Sequence, residues 1–347
     1  MKRIFSTLVL LLISIPFTSC KNHTSVDSYI EELVADGNFN GNVLVIKNGE
    51  TLYEASFGYS DGTKTVPLTK DFRFGLGSVF KEFPAVAIMQ LQEKELLHVD
   101  DKIDKYLKDL PNWASKVSIK NLLQYTSGLP KVPWEKYIEK DELMTDEKVK
   151  KDLQHIEELD FEPGDDYLYT NYSPIVLSRI VEEITQQKFN DYVVQNLFLP
   201  FSLDDAVIPT EVPFLDRNLM AIPFDEAYEE DSYRIAISGV IFCFTARDLY
   251  RWIDNLHAFK IINQKSVKLL SEKADFFGNI QAPLGFVEWK DNKIIEHSHH
   301  GENGNYECFV RRFTKEKDVL TIIVQSNQKR GNVVDITEEI RDILNFD

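Results

Sequence analysis

The chain has 347 residues, is 43% hydrophobic and 27% charged, and carries a formal net charge of −17. That length can bury a sizeable core, and the balance is that of a soluble globular protein with one large domain or two interleaved ones. The acidic excess argues against a nucleic-acid partner, which would need a basic stripe. The lysine-rich run at 148–151 sits among acidic residues and reads as a solvated helix face.

Residues 1–20 read as a targeting segment. Lys2 and Arg3 supply a positive start, and Ile4 to Ile13 form an apolar stretch too short to span a bilayer. The segment ends in Phe17-Thr18-Ser19-Cys20. Small residues before a cysteine resemble a bacterial lipoprotein signal, in which cleavage leaves Cys20 as a lipidated terminus. Phe17 stands where such signals usually carry leucine, and the alternative is an ordinary secretory signal. Either reading predicts an exported protein, and the lipoprotein reading places it in the cell envelope, attached to a membrane only through its N-terminal lipid. Of the remaining cysteines, Cys243 lies in an apolar run and reads as a buried small hydrophobe. Its spacing to Cys308 fits no zinc or redox pattern, and a disulfide between the two stays open.

Residues 24–35 carry apolar positions at helical spacing, with Ser25 as the expected N-cap. Residues 42–61 read as a β-hairpin turning at Asn48-Gly49, a strong short-range turn signal. A helix is expected from Ser78 to about 92, and mostly helical and loop signals run from about 95 to 260. These include Ser118 as a cap before Leu122 and Leu123, and amphipathic stretches at 173–187 and 245–256. Four β-runs come next at 284–291, 293–300, 306–313 and 318–326, then a closing amphipathic helix at 333–346. The pattern predicts an α/β fold with one antiparallel sheet assembled from both chain ends and a mainly helical insertion. The α/β part would take residues 21–80 and 265–347, and the helical part 81–264, within a single catalytic domain after the signal. The insertion and loops such as 209–218 would shape a substrate pocket.

Chemistry concentrates first at Gly75-Leu76-Gly77-Ser78-Val79-Phe80-Lys81. Residues three apart on a helix share a face, so the Ser78 hydroxyl can meet the Lys81 amine. A serine is a weak nucleophile until a base takes its proton, and lysine can be that base once burial or nearby charge lowers its pKa. The same four-residue spacing recurs at Ser326 and Lys329, without the glycines or a following helix, and reads as chance. Of the 14 tyrosines, only Tyr169 has an asparagine two residues on. Its phenol could carry a proton, and Asn171 could hold substrate or Lys81 through its amide. The bland alternative for that pair is a half-buried tyrosine before a helix-capping turn. The third feature is His299-His300-Gly301, between two β-runs, where glycine permits close backbone approach. A backbone N–H there could join that of Ser78 in an oxyanion hole. His297 and His299 share a strand face, but carboxylate partners for a metal are not evident in the sequence.

These motifs, in this order, resemble the serine β-lactamase and penicillin-binding-protein family, and especially its class C β-lactamase, D-alanyl-D-alanine carboxypeptidase and esterase branch. Three further stretches carry the resemblance: residues 91–107, Ile119 to Pro130 and Phe244 to Trp252. The resemblance implies Ser78 as the acylated nucleophile, Lys81 as its proton-handling partner and Tyr169 as general base, with Asn171 as a substrate contact. It places His299 where the family often has the lysine of a K-T-G motif, with Gly301 as that motif's glycine and the Glu302 N–H as second oxyanion donor. No K-T-G or K-S-G occurs, and His299-x-Gly301 matches the H-x-G of some esterase and peptidase relatives. The implied protein is an exported serine hydrolase that needs no metal or organic cofactor and acts on a small-molecule or peptide ester or amide. β-Lactamase or carboxypeptidase activity is the alternative, and non-turnover binding of peptidoglycan or β-lactams a further one. Two features of the opening stretch stand apart from this picture. Pro84 would kink a helix begun at Ser78, and Glu82 would point about 100° away from Lys81.

Overall fold

Asn48 and Gly49 both take positive φ, 54° and 84°, the backbone that a tight hairpin turn requires. They close β1 (Gly41–Lys47) onto β2 (Glu50–Phe57). Four more strands come from the other end of the chain: β3 (Phe286–Lys290), β4 (Lys293–Asn303), β5 (Tyr306–Lys315) and β6 (Asp318–Ser326). They form one six-stranded antiparallel sheet in the order β2-β1-β6-β5-β4-β3. The two chain ends meet at its centre, where β1 pairs with β6 from Gly41 opposite Ser326 to Lys47 opposite Leu320. This computed structural model describes residues 23–279 and 282–346, so Cys20 and its signal lie outside the described residues.

Both faces of the sheet are covered, which is why its central strands read as nearly continuous apolar runs. The helices that cover the sheet and carry the site are α1 (Val26–Ala35), α2 (Glu82–Glu93), α3 (Tyr172–Thr185), α4 (Ala246–His257) and α5 (Val333–Ile343). Ser25 caps α1 by accepting from the Ser28 N–H at 3.2 Å. Helices α1 and α5 bury Ile30, Ile336 and Ile340 against Val43, Val45 and Ile322. On the opposite face Leu44, Ile46 and Ile323 join the larger core beneath α2 and α4. Phe83 of α2 anchors that core, stacking on Phe242 at 4.5 Å and Trp252 at 4.3 Å between ring centroids. Helix 146–154 carries the lysine run as expected, with Lys148, Lys150 and Lys151 paired to Glu142, Asp109 and Glu147.

The expected helix from Ser78 is in fact two segments. Residues Gly77–Lys81 form a 3₁₀ turn, and the α-helix begins at Glu82. Pro84 is therefore the third residue of α2, inside the first turn, where backbone N–H groups lack intrahelical acceptors anyway. The Glu82 N–H bonds back to the carbonyls of Val79 and Phe80, so the missing Pro84 donor leaves no gap. No kink is needed. The open question of a disulfide is also answered, since Cys243 and Cys308 are both buried free thiols.

Candidate active site

The 3₁₀ turn presents Ser78 at the edge of a cavity of about 290 Å³. Lys81 Nζ lies 2.9 Å from Ser78 Oγ. Burial pushes the Lys81 amine down to about 7. A lysine that is largely neutral near neutral pH can accept the serine proton, which an ordinary lysine cannot.

Tyr169 stands beside this pair, with Lys81 Nζ 4.8 Å from the centre of its ring. The loop carrying it is held by the Tyr125-to-Pro130 stretch. Tyr125 packs on the Tyr169 ring at 4.8 Å, its carbonyl accepts from the Leu168 N–H at 2.9 Å, and the Thr170 hydroxyl donates to the Pro130 carbonyl at 2.7 Å. Asn171 occupies the N-cap position of α3 but makes no side-chain cap bond. It lines the cavity with Ser78 and Lys81, and its buried Oδ1 has no hydrogen-bond partner. A capping role is thereby excluded, and a polar group is left to meet whatever enters.

Strand β4 closes the site from the other side. Gly77 has φ +51°, and a β-carbon there would lie 2.3 Å from the Glu302 nitrogen. A β-carbon on Gly301 would lie 2.8 Å from the Ser78 nitrogen. Only glycine at both positions lets turn and strand meet this closely. The backbones of Ser78 and Glu302 are thereby brought close together, and both residues line the cavity. The Glu302 side chain turns out to Lys329 at 2.5 Å. The Ser326 hydroxyl meanwhile lies within hydrogen-bond distance of the Asn40 and Gln328 carbonyls, and Lys329 pairs with Glu302, so the second serine–lysine spacing makes no second site.

His299 is brought to this region, but its side chain does not face the cavity. It is buried, and its Nδ1 donates to Glu82 Oε1 at 2.7 Å. Glu82 does point away from Lys81, as helix geometry suggested, but into the core rather than to solvent, and there it meets His299. Its other oxygen accepts from Trp252 Nε1 at 2.6 Å. Burial alone would raise the Glu82 carboxyl, but the polar contacts of His297 and His299 outweigh it and hold the group at about 2. Burial lowers His299, outweighing the carboxylate beside it, so the ring is neutral at neutral pH. His297 shares the strand face as expected, with Nε2 2.7 Å from the Leu284 carbonyl and 3.6 Å from Glu82. Among the described residues, no group of three or more His, Cys, Asp or Glu is placed to hold a metal ion.

The insertion does shape the cavity, as expected, but sequence reasoning did not single out the residues of its wall. Trp134, Tyr137, Met144, Ile235 and Val240 line its apolar side. The pocket-shaping role expected of residues 209–218 is not seen: that loop does not line the cavity. Val212 instead pairs through its backbone with Ile235, and Phe214 packs in a separate small core. The wall residues lie in short segments, such as 144–145 paired with 235–236, that carry no periodic signal.

The chain is similar to several known proteins. The chain matches the family described as Beta-lactamase over residues 26–344. It is 31% identical over 332 residues to penicillin-binding protein 4* of Bacillus subtilis, covering 88% of this chain and 71% of that protein. The penicillin binding protein from Bacillus halodurans superposes with a TM-score of 0.77 at 22% identity, covering 91% of this chain and 99% of that one. The D-amino acid amidase from Ochrobactrum anthropi superposes with a TM-score of 0.74 at 20% identity, covering 92% and 97%. At those identities the two structures speak for the fold, while the family match and the Bacillus subtilis relative speak for descent. The chain belongs to the beta-lactamase family, the serine hydrolases of β-lactamase fold that include penicillin-binding proteins.

Proposed function

We propose that the protein is an exported active-site-serine hydrolase that cleaves an ester or amide through an acyl-enzyme. The observation that carries this reading is the 2.9 Å contact between Ser78 Oγ and the amine of Lys81, which burial holds near 7. In the proposed reaction the Ser78 oxygen attacks the substrate carbonyl carbon as its proton passes to Lys81. The backbone N–H groups of Ser78 and Glu302 receive the developing oxyanion. Collapse of the tetrahedral intermediate breaks the bond to the leaving group, which takes a proton from the Lys81–Tyr169 pair. Water then attacks the acyl-serine by the same steps in reverse, restoring the Ser78 hydroxyl.

An esterase or D-amino-acid peptidase or amidase activity is favoured over β-lactam hydrolysis. A permanent cation at the third motif would suit a substrate carboxylate, and here that position holds a neutral, buried His299. The test is hydrolysis of short nitrophenyl esters and D-amino-acid amides beside penicillins. Turnover of esters or amides, abolished by Ser78→Ala, supports the reading, and turnover of penicillins alone would reverse the preference. Export through lipidation at Cys20 is tested by incorporation of labelled palmitate, which Cys20→Ala should abolish; equal labelling of the variant would refute it.

A further inference from the structure

A charged carboxylate in a protein core is costly unless it is fully paired. Glu82 is such a group, and it directly follows the lysine that contacts the nucleophile. Two donors from two different elements fix its orientation: Trp252 of α4 on one oxygen and His299 of β4 on the other. Further back, His257 Nε2 lies 2.9 Å from His297 Nδ1, which closes the buried cluster behind the carboxylate.

We propose that the Glu82–His299 hydrogen bond is a tie that sets the oxyanion hole, making both residues positioning residues for the reaction. The inference rests on the proposed serine-hydrolase activity. Ser78, Lys81 and Glu82 belong to one continuous junction between 3₁₀ turn and α-helix. His299 precedes Gly301 by two residues on β4, so both face that junction. The strand therefore meets the nucleophile segment at two points. One is steric, where Gly77 packs on Gly301 and Glu302, and the other is polar, where Glu82 accepts from His299. Pairing with β5 from Glu296 to Asn303 holds the strand in the sheet, so what the tie can orient is the nucleophile turn that seats on it. A single contact would leave that turn free to pivot on the strand. Two contacts fix its angle, and with it the position of the Ser78 N–H relative to that of Glu302. His299 acts by anchoring the nucleophile segment to the strand, neither as a proton carrier nor as a reader of substrate charge.

The experiment compares His299→Asn with His299→Ala in the full chain. Asparagine places an amide N–H near the position of Nδ1 and keeps the donor to Glu82; alanine removes it. Losing one oxyanion donor typically costs about 10²–10³ in kcat, so His299→Ala should lose on the order of 10² in kcat on a nitrophenyl ester. Its KM should change by less than about 3-fold, because the tie acts in the transition state. Inhibition by a phenylboronic acid, a tetrahedral mimic, should weaken along with kcat. His299→Asn should stay within about 5-fold of wild type. An asparagine variant as inactive as the alanine one, with a limb lost from its pH profile, would show that His299 moves a proton and overturn the tie. Unchanged kcat in His299→Ala would overturn it equally. Should the variants not fold, ¹⁵N NMR of the wild-type protein decides. The tie predicts a His299 ring that carries its proton at Nδ1, bonded to Glu82, and a ring protonated at Nε2 alone contradicts it. Ester hydrolysis that survives Ser78→Ala would instead refute the serine reading itself, and the tie with it.

Discussion

Gly77 packs so closely on Glu302 that a β-carbon added to Gly77 would fall 2.3 Å from the Glu302 backbone nitrogen. Two segments more than two hundred residues apart in sequence thus meet backbone to backbone, and they are the two that supply the proposed oxyanion donors. The contact explains why the nucleophile turn is preceded by glycine. It also makes Gly77 a residue whose smallest substitution should be felt in both stability and rate.

Gly77→Ala meets two penalties, a clash with backbone that cannot rotate away and a positive φ that alanine adopts poorly. The variant should lose on the order of 10² in kcat, as for removal of an oxyanion donor, with a lowered melting temperature. Steady-state kinetics and a thermal melt check this together. A wild-type kcat would show that turn and strand need not touch.

The pH dependence comes from Lys81. Its amine is held at about 7 in the folded protein against an ordinary 10.5, through burial. Protonated Lys81 cannot accept the serine proton, so kcat/KM should rise with pH through about 7 and then level off. Lys81→Arg keeps a cation at every accessible pH and should lose both the limb and most of the activity. The same shift predicts a stability trend. The unfolded chain binds the lysine proton up to about 10.5 while the folded one releases it above about 7, so stability should increase with pH across that window. An acidic limb in wild type that stays in place in an active Lys81→Arg variant would assign the limb to another group.

Trp252→Phe removes the donor to Glu82 Oε2 while keeping most of the aromatic packing on Phe83. Leaving a buried carboxylate oxygen without its partner should cost about 1–3 kcal/mol, measured by urea unfolding. Glu82 itself is held at about 2 against a usual 4.5. Its contribution to stability is therefore fully present above pH 4.5 and is lost as the pH falls toward 2. Glu82→Gln should flatten the acid limb of the stability curve in that window, and an unchanged limb would show that Glu82 is not charged in the folded protein.

Much of the architecture was legible because it is written in local signals. The Asn48-Gly49 turn, the Ser25 and Ser118 caps and the β-runs from 284 onward each led to the element found. Ser118 even completes a reciprocal cap with Asn121. The Ser78–Lys81 pair was legible for the same reason, since three residues of helical backbone suffice to bring the groups together. Pro84 misled because the nucleophile turn is 3₁₀ and the α-helix starts only at Glu82, a switch that no residue was read as marking in the sequence. His299 and Glu82 lie more than two hundred positions apart, and nothing local to either announces the other. The apolar wall formed by Trp134, Tyr137 and Ile235 was illegible because cavities are lined by segments that are irregular alone.

The central claim is that Ser78 carries the acyl group. Its most direct test is intact-protein mass spectrometry after exposure to a fluorophosphonate probe, with Ser78→Ala alongside. The account predicts one probe per chain, located on Ser78 by peptide mapping and absent from the variant. An adduct that persists in Ser78→Ala, or no adduct in a folded wild-type protein that also leaves nitrophenyl esters intact, would contradict it.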